Sequence, residues 1–187
     1  MPPRPLSDQL QSLISRLPTM PLGHGEPDTE VRVLLAPESR QELFAPLTLV
    51  DPRSADLCAA GLWLAFGHLQ ECHKIAQSYE SPDGNYWHAI LHRREGDFWN
   101  SKYWFRRVDQ HPVAALLRLE AIRVQRETQC RQAETLVMKS KWDAPLYVDL
   151  CERALSEGGV LEEFCRGTQQ AEWHLLFEHC LQKAVAG

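Results

Sequence analysis

Two histidines four residues apart, His88 and His92, carry the clearest chemical possibility in the chain. On a helix, side chains at i and i+4 lie one above the other on the same face. The pair would present two imidazole nitrogens to one divalent cation. Imidazole donors suit zinc, iron, copper or nickel, and a carboxylate beside them admits manganese. Glu95 continues the stripe three residues on, as a further ligand or a base, and Asp97 follows it. The spacing lacks the internal glutamate of HExxH, so it brings no built-in general base. The plainer alternative makes both rings partly buried and hydrogen-bonded to Glu95, Tyr86 or backbone carbonyls.

A third imidazole belongs to the preceding segment. Residues 54–77 form one long proline-free helical pattern, joined to the next by a short connection with Pro82 and Gly84. An antiparallel hairpin places His73 level with Trp87 and His88, and His73 continues the inward Leu62–Phe66–Leu69 face. Glu71 lies roughly 200° around that helix from His73 at ~100° per residue, so it belongs with His68 to the other side. Three protein ligands with an open fourth position would allow catalysis, because zinc lowers the pKa of bound water to about 7. The leading expectation is therefore a pocket lined by His73, His88, His92 and Glu95, holding a divalent metal or a small polar ligand, in a hydrolase or oxygenase-like enzyme. His24 and His174 are expected in solvent, the latter beside Glu178, and His179 has no assigned role. There is no serine–histidine–acid pattern, no cysteine–histidine pattern and no glycine-rich phosphate loop.

A different chemistry shares the same stretch. Residues 86–105 hold seven of the sixteen aromatic side chains, and Arg93, Arg94, Lys102, Arg106 and Arg107 lie between 85 and 111. Arg93, Arg106 and Arg107 with Trp99 and Tyr103 would clamp a carboxylate or phosphate while the rings stack on it. That set suits an anionic metabolite or single-stranded nucleic acid. The net charge of −5 argues against a dedicated nucleic-acid binder. The alternative is an internal network in which these arginines bridge carboxylates and the rings fill the core, as in a structural or interaction protein without chemistry. Arg94 falls on the apolar side of its helix and needs a buried partner.

The segment Tyr86-Trp87-His88-Ala89-Ile90-Leu91-His92-Arg93-Arg94-Glu95-Gly96-Asp97, with Asn100 and Tyr103-Trp104-Phe105-Arg106-Arg107, resembles one that recurs in a family of microbial proteins. Trp142-Asp143, Val148-Asp149-Leu150-Cys151-Glu152, Glu172-Trp173 and Leu175-Leu176-Phe177 resemble that family's C-terminal half. The likeness covers about half of the chain. It implies a single helical domain and, with no established activity attached to that family, no catalytic residue.

The elements that must position these side chains read as helices throughout. The chain has 187 residues, 44% hydrophobic and 24% charged, ordinary for one soluble domain. No apolar run approaches the ~20 residues of a membrane span, and Met1-Pro2-Pro3-Arg4-Pro5 lacks the apolar core of a signal, so a cytoplasmic location is expected. The six cysteines form no CxxC pair and read as small core residues. Residues 6–17 carry an apolar helical stripe, and 18–28 are a proline- and glycine-rich linker; together 1–28 form a peripheral helix and linker. Residues 29–50 are ambiguous, with a strand or helical turn at 30–35 and a helix at 38–44. Gly96 suits a left-handed helix end and Asp97 the cap of the next helix. Pro112 opens a helix to about Gln125, and 126–141 has no assigned structure. Asp143 caps a helix closed by Gly158-Gly159, and a last apolar stripe follows Gly167. The fold class is all-α: a single-domain bundle of six to eight helices, with its core over 54–185.

Overall fold

The computed structural model describes residues 6–36 and 40–185, and these are all-α, with eleven helices and no strand longer than a single bridge between Leu49 and Val185. The helices are α1 (Asp8–Ser15), α2 (Val31–Leu34), α3 (Arg40–Phe44), α4 (Pro52–Ala65), α5 (Leu69–Ala76) and α6 (Pro82–Glu95), followed by α7 (Phe98–Val108), α8 (Val113–Thr128), α9 (Glu134–Val137), α10 (Ala144–Glu157) and α11 (Gly159–Ala184). The count exceeds six to eight for two reasons. The ambiguous stretches fold into the short helices α2, α3 and α9, and the 54–77 pattern divides into α4 and α5. Residues 38 and 39 of the expected 38–44 helix lie outside the described residues.

The division at Phe66-Gly67-His68 has a local cause. Gly67 adopts φ +80°, and a Cβ there would lie 2.6 Å from the Glu26 carbonyl oxygen. The linker docks against this break: Asp28 N–H donates to the Phe66 carbonyl at 3.0 Å, and His68 Nε2 lies 2.7 Å from the Asp28 carbonyl. His68 is thus buried in the linker contact, against Trp63. Apolar periodicity continued across the break because both helices bury a face, which hid the bend.

The remaining boundaries follow the side-chain signals. Asp51, Ser81, Asp97 and Asp143 each accept a backbone N–H in the first turn of α4, α6, α7 and α10. Gly96 ends α6 with φ +79°. α11 begins at Gly159 and runs straight through Gly167, where the missing side chain admits Val124: a Cβ would meet Val124 Cγ1 at 2.9 Å. This 26-residue helix is the post against which α4, α8 and α10 pack.

α6 is buried from Asp83 to Arg94, with α5 and α7 on either side of it. The main core joins α1, α3, α4, α5, α6 and α11 around Leu10, Phe44, Leu62, Trp87 and Trp173; a smaller one lies between α8, α10 and the start of α11. All six cysteines are buried free thiols. Arg94 does find buried partners, but they are carbonyls: Gly23 at 3.1 Å, His24 at 2.8 Å and Leu64. One guanidinium thus satisfies a C-terminal carbonyl of α4 and ties the linker to the core. Among the described residues no helix is long and apolar enough to cross a membrane.

Candidate metal centre

α6 places His88 and His92 one turn apart, and α5 brings His73 across from them. The ring centroids of His73 lie 4.8 Å from His88 and 5.4 Å from His92, and His88 and His92 stack at 4.7 Å. One donor atom from each of the three imidazoles lies within 4.8 Å of the other two. Nitrogen donors on a tetrahedral zinc, at Zn–N of about 2.0–2.1 Å, stand roughly 3.4 Å apart. Binding would therefore require the side chains to rotate so that donors up to 4.8 Å apart draw together. His88 and His92 are buried and His73 is partly exposed, so the group opens to one side.

Both ring nitrogens of His88 are buried without a hydrogen-bond partner. A buried unsatisfied polar group costs roughly 1–3 kcal/mol, and native structures rarely leave one without a reason. Burial, and then the neighbouring His92 and His73, push the His88 imidazole down to about 3. Burial also lowers His92, against the opposing pull of Glu95. Neutral imidazoles in mutual contact are the protonation state that a metal requires.

Glu95 lies beside the histidines but does not share their focus. Its Oε2 accepts from His92 Nδ1 at 3.0 Å. That fixes the proton on Nδ1 and leaves Nε2 with its lone pair, which accepts from the Asn100 amide at 3.2 Å. The expectation of Glu95 as a ligand therefore gives way to an orienting role, the carboxylate–histidine arrangement that surrounds many bound metals. α7 supplies two neighbours that sequence reasoning did not place at the site. Asn100 faces His92, and Trp104 stacks on His88 at 4.1 Å between centroids. Their i, i+4 spacing on the helix after HxxxH was the available signal.

A second group has the same composition and a different character. Asp83 Oδ1 accepts from His111 Nε2 at 2.8 Å and from His179 Nε2 at 3.1 Å, and Oδ2 pairs with Lys183. The other His111 nitrogen accepts from Val113 N–H at 3.3 Å. Despite its burial, Asp83 is held well below the usual carboxylate range by His111 and Lys183. Every strong group here has a partner inside the protein, so the cluster acts as a clasp joining α6, the turn that leads into α8, and α11. The i, i+4 pair His179 and Lys183 hinted at it, but Asp83 is remote in sequence.

The five residues of the proposed anion clamp separate. Arg93 points inward, fully buried, with Nη2 2.5 Å from Glu172 Oε2 and its guanidinium 4.7 Å from the centre of the Tyr147 ring. It cannot share a surface with the other four. Trp99, Tyr103, Arg106 and Arg107 remain on the exposed side of α7, where Trp99 and Tyr103 stack at 6.1 Å. A cavity of about 570 Å³ lies elsewhere, lined by Phe105, His111, Lys139, Trp142 and their neighbours, away from the three histidines.

No family model, curated protein or solved structure matches the chain.

Proposed function

We propose that this helical protein binds one divalent metal ion, of the zinc class, through His73, His88 and His92, and uses it for chemistry on a small polar ligand. The observation that carries the reading is His88: a buried imidazole with neither nitrogen satisfied, in contact with two other imidazoles. A structural histidine would spend at least one nitrogen on a neighbour, as His111 does in the Asp83 cluster.

His73, His88 and His92 would hold the ion, and zinc bound by three imidazoles would supply a water of pKa about 7 and polarise an oxygen ligand. A hydrolytic reaction fits that chemistry. Glu95 holds the His92 ring and its tautomer. A metal on His92 Nε2 would displace the Asn100 amide, which lies 3.2 Å from it and would be left free to hydrogen-bond a ligand. His73 forms the solvent-facing edge, through which a ligand enters, and Trp104 walls the His88 side.

Metal analysis of the purified full-length chain tests the reading. After incubation with zinc and removal of unbound ion, wild type should retain close to one equivalent per chain, and a His88→Ala/His92→Ala variant almost none. Wild type without stoichiometric zinc, iron, manganese, copper or nickel overturns it.

A further inference from the structure

The outer side of α7 bears on the same site. From Trp104, which stacks on His88, the helix surface runs through Asn100 and Arg107 to Tyr103, a contiguous strip at ~100° per residue. The Arg107 guanidinium lies 5.5 Å from the Trp104 ring centre and 5.8 Å from that of Tyr103. Among the described residues its only side-chain hydrogen bond is a long 3.5 Å contact to the Tyr103 hydroxyl, and it meets no carboxylate there. The helix is held in place beneath it, since Asn85 donates to the Arg107 carbonyl at 3.2 Å. One indole thus stacks on a histidine of the site and lies beneath an arginine that has no counter-ion among the described residues.

We infer that the ligand of the three-histidine site is a small aromatic oxyanion, a carboxylate or phosphate on a planar ring, held by Arg107 with its ring against Tyr103 and Trp104. This rests on the metal reading above. Arg is suited to the task because its planar fork pairs bidentately with carboxylate and phosphate and stacks on rings. Tyr103 and Trp104 stand nearly perpendicular, at 84°, so a planar ring stacked on one would meet the other edge-on, with its oxyanion on Arg107 and a polar atom at its other end turned toward the imidazoles. Recognition would be local: with the protein at −5 overall, a long polyanion is repelled where one small anion is not.

Calorimetric titration of the zinc-loaded full chain with 4-hydroxybenzoate, 4-hydroxyphenyl phosphate and inorganic phosphate tests this. Zinc content is measured first on every sample. 4-Hydroxyphenyl phosphate or 4-hydroxybenzoate should bind, whichever is tighter identifying the oxyanion, and inorganic phosphate should bind at least several-fold more weakly for want of a ring. Arg107→Ala should weaken the preferred probe tenfold or more with zinc content unchanged; Tyr103→Ala should weaken it several-fold. Stripping the zinc should also weaken it. Stoichiometric zinc with no probe binding, or with Arg107→Ala titrating like wild type, overturns this inference and leaves the metal reading standing. Probe binding indifferent to zinc overturns the shared site. Failure to load zinc removes both.

Discussion

Glu95 Oε2 lies 3.0 Å from His92 Nδ1, and that contact decides which side of the His92 ring is open. With the proton held on Nδ1, the Nε2 lone pair faces Asn100 and the other imidazoles. Replacing Glu95 with Gln keeps the shape and removes the charge that raises the basicity of the ring. Such outer partners are typically worth 10–100-fold in metal affinity. Glu95→Gln should therefore weaken zinc by roughly that factor, read by competition with a chromophoric chelator. Unchanged affinity would mean that Glu95 plays no part in the site.

His88 separates metal binding from stability. Phenylalanine fills nearly the same space between Trp104 and His92 and removes both unsatisfied nitrogens. In the presence of a chelator, His88→Phe should be as stable as wild type, or more stable by about 1 kcal/mol, in urea unfolding. Zinc-dependent stabilisation should vanish. A variant markedly less stable without metal would show that the imidazole nitrogens are satisfied within the protein.

Acid should act in two stages. The folded-state pKa of His88 is depressed from 6.5 to about 3, so the unfolded chain takes up that proton first. Stability then rises with pH across this range and falls as pH drops below 6.5. Asp83 is also depressed, from 3.8, and its contribution is present above that value and lost as pH falls through it. Denaturant midpoints of metal-free protein should decline from about pH 6.5 downward and more steeply below about pH 4. His88→Phe should make the upper limb shallower, since the depressed His92, His174 and His179 still contribute to it, and Asp83→Asn should do the same to the lower.

Arg93 and Glu172 are both wholly buried, so each depends on the other. Arg93→Ala leaves Glu172 as an uncompensated buried charge and should cost roughly 3–5 kcal/mol. A double Arg93→Met/Glu172→Leu variant should recover most of that loss. Urea unfolding of the three proteins checks it. Zinc stoichiometry in the folded double variant should equal wild type, since this pair lies on the other side of α6 from the histidines.

Much of the scaffold was legible because it depends on local rules. The i, i+4 spacing of His88 and His92, the left-handed turn at Gly96 and the caps at Asp97 and Asp143 need only neighbouring residues. The short connection before Pro82 was enough to predict that His73 would approach them. The break at Gly67 was not legible, because it exists to accept the linker carbonyl of Glu26.

Residue types and helical spacing by themselves determined an all-α chain and a pair of imidazoles on one face, since both follow from the geometry of a single helix. Tertiary structure decided what each charged neighbour does. Arg93 and Arg94 are adjacent, yet one meets Glu172 and the other three carbonyls, because ~100° of rotation directs them at different helices. Glu95 became an orienting group when α6 set it against His92. Asp83 gathered His111, His179 and Lys183 from as far as 100 residues along the chain. Such pairings are made by packing between helices, where a partner's distance in sequence carries no information about its distance in space.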